Sequence, residues 1–174
     1  VCTGCADSNA VNYNVNNIFE DGSCVYPIMQ DIWVSPMGDD SLNSGLYEEN
    51  PLKTLTNAVW IIGQNEEDPY TINLSEGTYS PSVTGDVFPI ILKSHINIIG
   101  SGENATIIDA EETGRIFTAE NCENNTISEM TITGGFAEGN TSGNTGGGMY
   151  LNNSNPILNH ITIDGNTATW EGGG

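Results

Sequence analysis

The residues able to do acid–base chemistry are few and scattered. Against 23 Asp and Glu stand only Lys53, Lys93 and Arg115, with His95 and His160 as the two histidines. Glycoside hydrolysis needs two carboxyl groups roughly 5–9 Å apart. Asp109 and Asp164 each follow an Ile-containing strand segment, but they stand at non-equivalent places in the chain's repeat. Asp at a strand end ordinarily forms a turn, which is the stronger reading for both. His95 and His160 come immediately before Ile96 and Ile161. A stacked His pair would suit a metal, although a solvated turn His is the commoner use of such a position.

Hard oxygen ligands crowd the N-terminal segment: Asp7, Asn9, Asn12, Asn14, Glu20 and Asp21. Ca²⁺ is the candidate ion, although the spacing is not that of an EF-hand. The alternative, Asn and Asp closing Asx-turns, takes precedence. No cofactor is required by any motif. Cys2, Cys5 and Cys24 fall in the first 24 residues of the chain. Such clustering reads as a disulfide staple on a piece too small to fold by packing. A Cys5–Cys24 bridge would close a loop of about 20 residues, worth on the order of 3 kcal/mol. Zinc competes through the Cys2-Thr-Gly-Cys5 spacing but lacks a second ligand pair. Cys2 and Cys122 stay open: paired, free, or bonded to another chain.

The charge balance sets the partners. A net charge of −20 and a pI near 4.1, with three cations in 174 residues, exclude nucleic acid and anionic membrane surfaces. No apolar run is long enough to span a bilayer. A start at Val1 without a signal-peptide pattern reads as a processed or trimmed one. The disulfide staple predicts a secreted or cell-surface location. Polarity comes from neutral residues, 22 Asn and 17 Thr beside 21 Gly, while 19 Ile supply a core. That composition favours strands joined by tight turns.

The elements that must position these groups follow. One helix is expected over 51–62, with Asn50 as N-cap, Pro51 in its first turn, Gly63 at its exit and Leu52, Leu55, Val59 and Ile62 on one face. Beyond it the pattern apolar-x-Ile-x-Gly recurs at Ile96–Gly100, Met130–Gly134 and Ile161–Gly165. A second element recurs at Gly114-Arg115-Ile116-Phe117 and Gly148-Met149-Tyr150-Leu151. Short strands at a period above 30 residues predict an all-β, right-handed parallel β-helix, a solenoid with Ile columns inside and Asn at its turns. Ile98, Ile132 and Ile163 are expected in one interior column. The helix caps the first coil, whose open end would otherwise expose backbone. Residues 1–27 form a Cys-rich appendage, 28–63 the lead strand and helix, and 64–174 the coils, with more coils expected beyond Gly174. Trp60 is assigned to the cap, Trp33 beneath the first strand, and Trp170 to the surface.

Two resemblances support this division. Gly4-Cys5-Ala6-Asp7 to Asn12-Tyr13-Asn14 and Asp21-Gly22-Ser23-Cys24 resemble a short Cys-rich repeat of secreted bacterial proteins. Many copies carry a Cys where this chain has Val11, which implies a Cys5–Cys24 pair and leaves Cys2 unassigned. Ile32-Trp33-Val34-Ser35-Pro36, Ile72-Asn73-Leu74-Ser75-Glu76-Gly77-Thr78-Tyr79, Ile98-Ile99-Gly100-Ser101-Gly102 and Thr106-Ile107-Ile108-Asp109 are similar to the start of pectate-lyase-like β-helix proteins, in the DUF1565 branch. Gly147-Gly148-Met149-Tyr150 and Asn166-Thr167-Ala168 resemble repeats of polymorphic outer-membrane proteins.

The resemblance is specific for fold and weak for function. Uronate-cleaving relatives pair Asp-held Ca²⁺ with Arg or Lys. Here Arg115 and Lys93 lack that Asp cluster, and a surface role is the better expectation for Arg115. The reading is therefore a non-enzymatic extracellular module: a stalk, adhesin or subunit of an extracellular filament. End-to-end self-association, neighbouring surface proteins or glycans are the expected partners. A polysaccharide lyase or glycoside hydrolase is the runner-up.

Overall fold

In the computed structural model, residues 3–138, 145–170 and 172–173 are described. Two short strands, β1 (Thr3–Gly4) and β2 (Phe19–Glu20), pair in parallel within the N-terminal appendage. Next come β3 (Ile32–Val34) and α1 (Leu55–Ile61). The remaining elements wind into a parallel β-solenoid of about three turns. The first coil holds β4 (Tyr70–Leu74), β5 (Gly77–Tyr79) and β6 (Ile90–Ile91). The second holds β7 (Ile96–Ile99), β8 (Thr106–Asp109) and β9 (Phe117–Glu120). The third holds β10 (Thr126–Thr133), β11 (Phe136–Ala137) and β12 (Met149–Asn152), followed by β13 (Ile157–Ile163) and β14 (Thr167–Ala168).

Strand alternation builds the core, since every second side chain points inward. Three columns result, one for each face. On the first, Ile32, Ile72, Ile98 and Ile127 stand one above another, each no more than 1% exposed. On the second, Tyr79, Ile108 and Ile132 lead to Ile163. On the third, Ile90 and Phe117 lead to Met149.

This register corrects the expected single column. Ile132 does pair with Ile163, but Ile98 pairs with Ile127. The reason is the unequal path of successive coils. In the second coil, residues 100–105 loop outward between β7 and β8, whereas β10 runs through both faces as one eight-residue strand. Two motifs that look alike in sequence therefore lie on different faces. The second repeat shifts as well, with Phe117 opposite Met149 instead of Leu151.

The helix is shorter than expected. Thr54, not Asn50, is the N-cap, its Oγ1 accepting from Asn57 N. Pro51 lies outside the helix because Leu52 is held as an extended bridge to Val34. Asp40 fixes the entry by accepting from Lys53 N, Thr54 N and Thr54 Oγ1. At the exit Ile62 is extended and bridges Ile28. Leu55, Ala58, Val59 and Ile62 join the core of the first coil, the apolar seal that an open solenoid end needs.

Candidate functional site

The disulfide is present: Cys5 and Cys24 are joined with a Cα–Cα distance of 4.6 Å. Cys2 lies outside the described residues, and Cys122 is a buried free thiol whose Sγ faces Leu92 O at 3.2 Å. Around the bridge, most of the residues proposed for Ca²⁺ accept hydrogen bonds, some within turns and some across the appendage. Asp7 Oδ1 accepts from Asn9 N and Asn9 Nδ2, and Asp7 Oδ2 accepts from Tyr26 Oη. These bonds hold the Asp7 carboxyl below its usual range, the Asn9 amide foremost. Asn12 Oδ1 accepts from Val25 N, and Asn14 Oδ1 from Asn16 N. Glu20 accepts from Ala6 N and Gly22 N, and Asp21 from Ser23 N. Among the His, Cys, Asp and Glu side chains of the described residues, only Cys5, Glu20 and Cys24 bring three potential donor atoms within 4.8 Å of one another, and the disulfide has already used both sulfurs.

The catalytic candidates are spread over the solenoid. Arg115 donates from Nε to Gly146 O and from Nη2 to Thr145 O, and its guanidinium lies 4.7 Å from the centre of the Tyr150 ring. It thus rivets the second coil to the turn of the third. Lys93 is turned toward the helix, donating to Trp60 O at 2.8 Å and Ile62 O at 3.3 Å. Burial lowers its pKa. Asp109 accepts from Glu111 N as a turn former. Asp164 is exposed beyond the end of β13. The histidines occupy bends at positive φ, 58° for His95 and 48° for His160. His160 Nδ1 is 2.6 Å from Glu129 Oε1, and His95 lies beside Asn124 and Glu123.

Several polar clusters were not anticipated. Asp86 is buried, accepting from Thr56 N and Thr56 Oγ1 on one oxygen and Thr84 Oγ1 on the other. Burial raises its pKa. Glu111 accepts from Ser80 Oγ, Ser82 N and Ser82 Oγ, ties that lower its own. Apart from Thr84–Asp86, these pairs lie 29–31 residues apart, a distance at which a sequence offers no local sign of pairing. The tryptophans also differ from expectation. Trp60 is 43% exposed, because the helix turns it toward solvent. Trp33 points away from the core, since Ile32 and Val34 on either side point in. Trp170 is exposed as expected.

Two hollows accompany these rings. One, about 280 Å³, lies between α1 and β6 and is lined by Val59, Trp60, Pro89 and Ile91, with Lys93 at its side. The other lies beside Trp33, Tyr47 and Tyr70. No helix among the described residues is long and apolar enough to cross a membrane.

Parallel coils, an apolar interior and a helix sealing the first coil define a β-helix protein. Within that class the chain belongs to the DUF1565 family, a family described as proteins of unknown function, whose pattern matches residues 37–168. No curated protein and no solved structure matches the chain.

Proposed function

We propose that this protein is an extracellular, non-enzymatic β-helix module that serves as a rigid stalk or adhesive subunit. The observation that carries this reading is the use made of its cations. Arg115 and Lys93, the two within the coil region, each donate to backbone carbonyls of a neighbouring element and so spend their hydrogen bonds on holding the solenoid together. A polysaccharide lyase needs such a group directed at its substrate. The Cys5–Cys24 bridge supports an oxidising, extracellular setting.

The solenoid also offers an edge for assembly. β13 pairs with β10 on one side, and no strand among the described residues pairs with its other side. Ile157 and Leu158 on that strand are 65% and 41% exposed. Parallel coils of the same geometry fit such an edge. The test is incubation of the folded protein with polygalacturonate plus Ca²⁺, xylan and a neutral β-glucan. The expected result is no unsaturated product and no new reducing ends. Turnover of any of them, lost in Arg115→Ala or Lys93→Ala, would overturn the reading in favour of an enzyme.

A further inference from the structure

Outside the coil interior, on the first face, Trp33 lines two neighbouring hollows of about 500 and 220 Å³. The wider is walled by Trp33, Tyr47 and Tyr70, with Gln30, Asp31 and Asp68 at its rim. The narrower continues past Glu48 along the outward side chains of the sheet, Asn73, Ser75 and Ser101. We infer that this aromatic-walled trough binds a neutral glycan, with a pyranose ring stacked on Trp33.

Asn73 Nδ2 donates to Ile32 O and Ser101 Oγ to Leu74 O, but most of the other polar tips are unspent. Elsewhere in the chain, Asp40, Asp86 and Glu111 are each occupied by two or more hydrogen bonds. At the trough, Asp31 uses only Oδ1, accepting from Thr71 N at 2.8 Å. The side chains of Glu48 and Asp68 and the hydroxyls of Tyr47 and Tyr70 make no hydrogen bond within the described residues. Beneath the narrower hollow, Ser75 Oγ is buried without a partner. A buried hydroxyl left so is costly, and a bound water or ligand hydroxyl relieves it.

The walls are held in place before any ligand arrives, which lowers the ordering cost of binding. Trp33 is pinned on both sides: its N donates to Gly45 O and its O accepts from Leu52 N. The loop carrying Tyr47 is closed by Asp39, which accepts from Ser41 N and Leu42 N, and by Asn50, which accepts from Ser44 N.

The ligand chemistry follows from the lining. Flat aromatic faces match the apolar C–H face of a pyranose, while carboxylates, phenols and an amide match its hydroxyls. Asp31, Glu48 and Asp68, on a chain of net charge −20, repel uronic and sulfated sugars. A small organic cation shares the aromatic and carboxylate preferences, but it leaves the hydroxyl and amide side of the trough unused.

The experiment is affinity electrophoresis of the whole chain in gels containing a neutral β-glucan, glucomannan, xylan or starch, with polygalacturonate as the anionic control. At least one neutral polymer should retard the protein, and polygalacturonate should not. Tyr47→Ala should weaken retardation about tenfold or more, as should Trp33→Phe with its smaller face. Trp60→Ala, on the far hollow, should leave it unchanged. Tyr47 is 64% exposed, so its removal spares the core and keeps the test independent of folding. Retardation by none of the neutral polymers would overturn the inference, as would retardation unaffected by Tyr47→Ala. Saturable binding of tetramethylammonium alone would overturn it too, in favour of a cation site. Binding without turnover leaves the scaffold reading intact, so the two ideas fail separately.

Discussion

Glu129 and His160 stand one above the other at the same bend of successive coils. Both adopt positive φ, 59° and 48°, and His160 Nδ1 meets Glu129 Oε1 at 2.6 Å. One coil earlier the bend is occupied by Gly100, where a Cβ would lie 2.1 Å from Glu129 O. The bend is therefore a ladder in which Glu129 and His160 share the left-handed backbone, while at Gly100, which is not at positive φ, the close approach of Glu129 O leaves no room for a side chain.

The ladder predicts how the position tolerates change. His160→Asn keeps a residue suited to positive φ and loses only an exposed pair, so its stability should stay within about 0.5 kcal/mol of the parent. His160→Val should cost about 1–3 kcal/mol, because a branched Cβ strains that backbone. Urea midpoints of the two variants check the contrast. Equal midpoints would show that the left-handed backbone sets no constraint at this position.

The register makes a prediction about coupling. Ile98→Ala and Ile127→Ala should each cost about 2–5 kcal/mol. Their double-mutant cycle should show a coupling of about 0.5 kcal/mol or more, since the two stack. Ile98→Ala with Ile132→Ala should be nearly additive. The reverse pattern would restore the single column read from the sequence. Ile132→Asp, which buries an unpaired charge, should cost several kcal/mol.

Asp86 predicts a pH dependence. Its folded pKa is raised above the ordinary 3.8 by burial, so the folded chain holds this proton more tightly than the unfolded one. The resulting stability is fully present below 3.8 and is lost as pH rises through the folded value. Asp86→Asn has no such titration. Parent stability relative to Asp86→Asn should therefore fall as pH rises from about 4. Asp7, Asp21 and Glu111, whose pKa values are lowered, act in the opposite direction but are common to both proteins and cancel. Thermal melts from pH 3 to 7 measure the difference, and a constant offset would show that Asp86 does not titrate in this way.

The appendage should respond to reduction by itself. Opening Cys5–Cys24 should loosen residues 3–26, releasing about 3 kcal/mol of loop constraint. Amide exchange in β7, β8 and β10 should be unchanged. Hydrogen exchange with and without reductant reads both regions at once. Adding Ca²⁺ to the same measurement tests the proposed oxygen ligands, which should gain protection in that segment if they bind it.

Assembly through the edge of β13 that no described strand pairs should depend on its exposed apolar pair. Sedimentation of the parent is expected to show concentration-dependent association. Ile157→Lys with Leu158→Glu should sediment as a monomer, because charges on an edge block pairing with another strand. A parent that stays monomeric at every concentration would remove end-to-end assembly.

Periodicity made the class of fold legible. Alternating Ile with Thr and Asn determines that strands bury one face, and the Gly and Asn turns determine that those strands are short. The appendage was legible because its cysteines and Asx residues act within about 20 positions of one another. The start of α1 was not: Asn50-Pro51 is a good local cap, yet the bridge from Leu52 to Val34 and the grip of Asp40 move the cap to Thr54. The candidate site was legible only as residue types. Trp33, Tyr47 and Tyr70 lie far apart in the chain and carry no joint signature.

What the sequence determined by itself is thus everything carried by neighbours: strand alternation, turn chemistry, the disulfide-bearing segment and a net charge of −20. What the tertiary structure decided is which coil position sits above which. A solenoid's stacking register is set by the path of every intervening loop, and the excursion at residues 100–105 was enough to place Ile98 over Ile127 instead of Ile132. The same long-range stacking turned Arg115 and Lys93 toward backbone carbonyls and gathered three distant aromatic rings around one trough. Contacts made across about 30 residues are chosen by packing between coils, and no local pattern records them.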